Sequence, residues 1–155
     1  MYKKPLLKAP HKAPAGFASL QFVVEPLNIN HAIMDLEAVT ASTARLRHQY
    51  PEANGWPLGI TLHDNIADLG WHEKEHRDGS SFAYTVLTAE RDRCLGCIYV
   101  IPEGEGALLS FWMRSDLPDG PSEQNLCDEI RNWVAQDWHG TVIRISDYVP
   151  TEGRV

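Results

Sequence analysis

The sequence predicts an α/β fold of the α+β kind: a single mixed, mostly antiparallel sheet with helices on both faces. Three observations predict it. Strand-like stretches at 81–88, 94–101 and 107–114 follow one another with only short polar turns between them, which is the pattern of an antiparallel meander. Helical periodicity flanks that meander, before it from about His31 and after it from Leu126 to Trp138. A last short strand, 141–145, follows a helix, so a right-handed crossover sets it parallel to the strand that ends at Arg114.

Taken in order, residues 1–19 hold Lys3, Lys4, Lys8 and Lys12 among Pro5, Pro10 and Pro14. Proline blocks helix there, and little is available to bury, so a flexible basic arm is expected. Residues 20–147 form one domain, and 148–155 a tail. Leu20 to Leu27 alternates Leu20, Phe22 and Val24 against Gln21, Val23 and Glu25, a first strand. Asn30 can cap a helix from His31 to about His48, with Ile33, Leu36, Val39, Thr43 and Leu46 as its buried stripe. Tyr50 to Gly59 carries Pro51, Asn54-Gly55, Pro57 and Gly59 and is a loop, pinned to the body by Trp56. Thr61 caps a second helix to about Arg77, with Asp64 completing a capping box and Leu62, Ile66 and Leu69 facing inward. Gly79 ends it. After the meander, Ser122 caps a helix whose inner stripe is Leu126, Ile130, Trp133, Val134 and Trp138.

Composition bounds the function. A chain of 155 residues, 43% hydrophobic and 23% charged, is that of a soluble globular domain. Its net charge of −7 excludes a general nucleic-acid binder, which needs a basic stripe. No apolar run approaches the roughly 18 residues of a membrane span. The N-terminal lysines have no apolar run behind them, so a secretory signal is not expected and a cytoplasmic location is.

Two motifs invite a metal. Cys94-Leu95-Gly96-Cys97 has CxxC spacing, but on a regular strand positions i and i+3 face opposite sides, so reduced, half-buried thiols are expected. His72-Glu73-Lys74-Glu75-His76 matches H-E-x-x-H and extends to Gly79, yet Phe82 stands where the longer form has its third histidine. The charged Lys74 and Glu75 between the histidines suit a solvated helix end, so no metal is expected from it.

The loop-to-helix joint after the strand ending at Arg114 carries the chemistry. The element order, the hairpin Phe82-Ala83-Tyr84-Thr85-Val86 with Cys94-Leu95-Gly96-Cys97-Ile98, and Ser110-Phe111-Trp112-Met113-Arg114 together resemble the GNAT family of acyl-CoA N-acyltransferases over about residues 20–146. The resemblance implies acetyl-CoA as cofactor, its pantetheine arm lying between two splayed strands. It implies that the backbone of Phe111, Trp112 and Met113 holds that arm, and that Arg114, Gly120 and Ser122 border the pyrophosphate. Against the family's Arg/Gln-x-x-Gly-x-Gly/Ala, the stretch Leu117-Pro118-Asp119-Gly120-Pro121-Ser122 keeps Gly120 and a small residue at Ser122. It has lost the Arg/Gln to Leu117, and Pro121 removes a backbone donor while Asp116 and Asp119 add negative charge. The family also continues past its fifth strand, whereas here eight or nine residues remain; a second copy of the chain, in a homodimer, is one source of the missing walls.

The expected function is therefore transfer of an acetyl group from acetyl-CoA to an unidentified small-molecule or peptide amine. Glu73, Glu75 or His76 are the candidate proton acceptors and Tyr148 the candidate acid for the departing thiolate. The alternative is a non-catalytic ligand-binding or interaction domain of the same fold that has lost its cofactor.

Overall fold

The computed structural model describes residues 5–7 and 12–150; residues 1–4 and 8–11 of the expected arm, with Lys3, Lys4 and Lys8, and 151–155 of the expected tail lie outside them. The strands are β1 (Phe17–Ala18), β2 (Phe22–Pro26), β3 (Phe82–Thr88), β4 (Cys94–Glu103), β5 (Gly106–Met113) and β6 (Ile143–Ile145). They form one sheet in the order β1-β2-β3-β4-β5-β6. Every neighbouring pair is antiparallel except β5 with β6, which is parallel, as a crossover through a helix requires. The strand β1 falls inside the stretch read as an arm. Leu6, Leu7, Ala13 and Phe17 of that stretch pack against the core, and the Leu6 N–H donates to Gly79 O at 2.7 Å.

The helices are α1 (Ala32–Ala41), α2 (Thr43–Gln49), α3 (Leu62–Asp78) and α4 (Glu123–Asp137). One core lies between the sheet and α4: Phe22, Tyr84, Val86, Ile98 and Leu109 meet Leu126, Ile130, Trp133 and Trp138. A second lies under α1, α2 and α3: Val39, Leu46 and Leu69 meet Ala83, Leu87, Cys94, Cys97 and Trp112. Helices therefore cover both faces, and the α4 stripe packs as its 3.6-residue period demands.

The single helix expected over 31–48 is broken at Ser42, whose φ of −120° is not helical. Its neighbours compete with the ladder: the Thr40 hydroxyl donates to Leu36 O at 2.7 Å and that of Thr43 to Thr40 O at 3.0 Å. The buried stripe also differs from the expectation. Ile33 is 74% exposed, while Asp35, Ala38, Val39, Arg45 and Leu46 are buried. Polar anchors turn this face inward, Asp35 toward α3 and Arg45 toward α4. On α3 the capping box of Thr61 and Asp64 forms, and Gly79 ends the helix at φ 74°. Leu62 and Ile66, expected inside, are exposed at 40% and 43%; Asn65 and Leu69 take the inner positions. Asn65 is held there because it donates to both Ala32 O and Asp35, each at 3.0 Å.

Candidate active site

The candidate site lies where β5 and β6 part. The Ala107 N–H donates to Val142 O and the Ser146 N–H to Leu109 O, which ends the pairing. Beyond it β5 runs on through Met113. The Arg114 N–H donates to Leu95 O on β4, so alternation turns the backbone of Trp112 toward β4 and that of Phe111 and Met113 toward the gap. Side chains of α2 reach this open edge. Gln49 Nε2 donates to Phe111 O at 2.8 Å and Arg45 Nη1 to Met113 O at 3.1 Å. Arg45 also pairs with Glu123, in the first turn of α4.

A cavity of about 750 Å³ opens on the face of the sheet covered by α2 and α3. Five carboxylates line it: Asp35, Glu52, Asp68, Glu75 and Asp147. Aromatic walls come from Tyr50, Trp56, Trp71, Tyr99 and Tyr148. No lysine or arginine is among the described residues lining it. The rings are fixed by one another and by hydrogen bonds. Tyr50 meets Trp56 and Tyr99 edge-on at centroid separations of 6.3 and 5.8 Å, and His72 stacks on Tyr99 at 5.8 Å. The hydroxyls of Tyr50 and Ser110 share a bond of 3.1 Å, and Trp112 Nε1 donates to Tyr99 OH at 3.0 Å. Burial pushes the Asp35 carboxyl above its ordinary range, against the opposing pull of the Asn65 bond. Burial, with Asp64 nearby, raises Asp68.

The proton-transfer candidates are not brought together. Tyr148 lines the cavity, shares a 2.9 Å hydrogen bond with His48 Nδ1, and lies under the Arg45 guanidinium. Glu75 lines the cavity too and is buried. Glu73 and His76 instead border a smaller recess beside Asn28 and Ile29, where Glu73 accepts from the Ile29 N–H at 3.3 Å. His76 packs edge-on against Phe82 and Tyr84 at 5.0 and 5.3 Å, and burial lowers its pKa. The two histidines of the H-E-x-x-H stretch therefore face different surroundings.

Arg114 is buried and grips two carboxylates. It pairs with Glu37, and its Nε donates to Asp116 at 2.7 Å; Nη1 also donates to Cys94 O at 3.2 Å. Gly120 lies on an exposed loop, its N–H donating to Leu117 O at 3.3 Å. Ser122 caps α4, its Oγ accepting from the Asn125 N–H.

One expectation about the cysteines is overturned. Val86 pairs with Gly96 and Leu87 with Cys94, so Leu95 is an extra residue, a β-bulge. The bulge resets the alternation and turns Cys94 and Cys97 to the same face, both fully buried in the second core. Their sulfurs and a carboxylate oxygen of Asp35 lie within 4.8 Å of one another.

No family model matches the chain, and no curated protein matches it in sequence. Solved structures do match in shape. The microcin C7 self-immunity acetyltransferase MccE, solved with acetyl-CoA and AMP, superposes with a TM-score of 0.64 at 9% identity, over 86% of this chain and 73% of its own. RimL, the ribosomal L7/L12 α-N-protein acetyltransferase, gives 0.61 at 11%, over 92% and 76%. The ribosomal-protein-S5-alanine acetyltransferase from Vibrio fischeri gives 0.54 at 11%, over 78% and 67%. The chain has the GNAT acyl-CoA N-acyltransferase fold. Beyond its short pairing with β6, β5 runs on to feed the 114–122 loop and α4.

Residues that were not singled out in the sequence dominate this site. Asp35, Arg45, Gln49 and Asn65 are polar helix residues that belong to no motif spacing. Their one detectable signal is negative: the apolar stripe of each helix is short, leaving part of the inner face to polar groups.

Proposed function

We propose that the protein is an acetyl-CoA-dependent N-acetyltransferase whose acceptor is a cationic amine. The observation that carries this is the cavity of five carboxylates and aromatic rings, free of lysine and arginine among its described lining residues, opening where β5 and β6 part. Aromatic faces and carboxylates together favour an organic ammonium over a neutral or anionic ligand. Ser81 Oγ, buried at the cavity wall with no partner among the described residues, offers a further polar contact.

The residues present suit the pantetheine arm: the N–H groups of Phe111 and Met113 face the gap, beside carbonyls held by Gln49 and Arg45. At the phosphate end the first turn of α4 would offer its amides and its dipole. The loop adds little, because Pro121 has no N–H and Arg114 is held by Glu37 and Asp116. Acetyl-CoA, when bound, supplies an acyl group activated as a thioester. Asp68, raised by burial, is the acceptor of the ammonium proton, since a carboxylate of higher pKa is the stronger base. Glu75, on the cavity wall, holds the remaining positive charge. The Tyr148 hydroxyl, held by His48, protonates the departing thiolate.

Incubation of the full chain with acetyl-CoA and a panel of amines, read by product mass, tests this. Acetylation of linear diamines and polyamines in preference to neutral or acidic amines is expected, with Asp68→Asn and Tyr148→Phe each slowing turnover by about 10²-fold. Absence of acetylated product across the panel contradicts the reading.

A further inference from the structure

We propose that Cys94, Cys97 and Asp35 form a binding site for a thiophilic divalent metal ion of the zinc class at the floor of the cavity. Of the described residues, these three make the one grouping of histidine, cysteine and acidic side chains whose ligand atoms converge, all within 4.8 Å. Cys97 Sγ lies 3.4 Å from Asp35 Oδ1. A tetrahedral ion with sulfur at ~2.3 Å and oxygen at ~2.0 Å separates such ligands by about 3.5 Å. The chemistry of the set, two thiols and one carboxylate, suits a borderline-soft ion.

The surroundings hold the ligands in place. Asn65 donates to Asp35 Oδ2 at 3.0 Å and is itself tied to Ala32 O, which leaves Oδ1 facing the sulfurs. Thr85 Oγ1 is 3.6 Å from Cys94 Sγ and can donate to a thiolate. Such outer partners orient metal ligands. The three residues are at most 2% exposed, yet Asp35 and Asn65 reach the cavity wall, which gives an ion its path.

Both thiols are free. They pair opposite Leu87 and Thr85, two residues apart on β3, so the bulge draws their Cα atoms to about 7 Å, the edge of disulfide range. A disulfide needs less than about 7 Å. Without an ion the Cys97 thiol donates to Asp35 and the Cys94 thiol to Gly96 O. Loading replaces the two thiol protons with two metal–sulfur bonds, and both protons leave to solvent.

Titration of cobalt(II) into the reduced, chelator-stripped full chain tests the site without reference to activity. One equivalent is expected to bind, with a thiolate-to-metal charge-transfer band in the near ultraviolet. Cys94→Ser and Cys97→Ser abolish the band, Asp35→Asn weakens binding by about tenfold or more, and Cys127→Ser leaves it unchanged. The folded wild type decides the matter even where a variant fails to fold. No band with excess cobalt overturns the site. So does a band that survives both cysteine substitutions, or a mass two hydrogens lighter with no ion bound.

Discussion

Arg114 shows how one side chain can serve structure at a position where the resemblance implies cofactor binding. Its guanidinium ties α1 to the start of the 114–122 loop through Glu37 and Asp116. The Arg114 hydrogen bond holds the Glu37 carboxyl at about 2, against an ordinary 4.5. A value depressed by folding stabilises the native state above the ordinary pKa and is lost as pH falls through the folded one. The pair therefore supports the fold at neutral pH and fades between about pH 4.5 and pH 2. Glu37 is half exposed, so the effect is screened and modest. Melting temperatures across that range are expected to fall less steeply in Glu37→Gln than in the wild type, the two curves converging at the acid end. Parallel curves would show that the pair contributes nothing.

Gly96 belongs to the same scale. A Cβ there would lie 2.0 Å from Trp112 O and 3.0 Å from Met113 Cα, both backbone atoms, so β4 and β5 meet too closely for any side chain. Gly96→Ala is expected to lower unfolding free energy by about 2–4 kcal/mol in urea melts. It would also disturb the adjacent bulge. A loss under about 0.5 kcal/mol would mean that the strands separate easily.

At the scale of elements, α2 acts as a cover for the open edge of β5. Gln49 satisfies the Phe111 carbonyl, a group that an incoming amide would otherwise engage. Gln49→Ala removes that competitor. Acetyl-CoA affinity is expected to rise by about three- to tenfold, the worth of one hydrogen bond, as read by calorimetry. A fall would instead make Gln49 a contact for the ligand. The break between α1 and α2 is what lets Gln49 and Arg45 reach this edge, and it was not legible in the sequence. The 39–46 stretch keeps a helical period, and the threonine bonds that interrupt the ladder require knowledge of side-chain rotamers. The meander, the Thr61–Asp64 capping box, the Ser122 cap and the α4 stripe were legible because each rests on local spacing alone; the Asn30 cap was not, since Asn28 caps the turn there. The inner faces of α1, α2 and α3 were misread because their buried polar residues are chosen by long-range partners, Asp35 by Asn65 and Arg45 by Glu123. The cysteine pair was misread for a similar reason: a bulge adds one residue to a period-2 pattern without changing its composition.

For the whole molecule, the sheet and its two helical layers place an acidic, aromatic cavity beside a strand edge that ends in a loop and a helix N-terminus. The cavity residues come from segments spread between Leu27 and Tyr148, so their convergence appears once α2, α3 and the 146–148 segment close over β4 and β5. The same architecture lets the central claim be tested by binding. Gly120 is exposed and a Cβ on it meets nothing nearer than 3.5 Å, so Gly120→Glu leaves the fold intact while setting a negative charge at the proposed phosphate end. Calorimetric titration of acetyl-CoA into the full chain is expected to give one site per chain, weakened by about tenfold or more in Gly120→Glu. Absence of heat with millimolar acetyl-CoA, or equal affinity in the two proteins, would contradict the account.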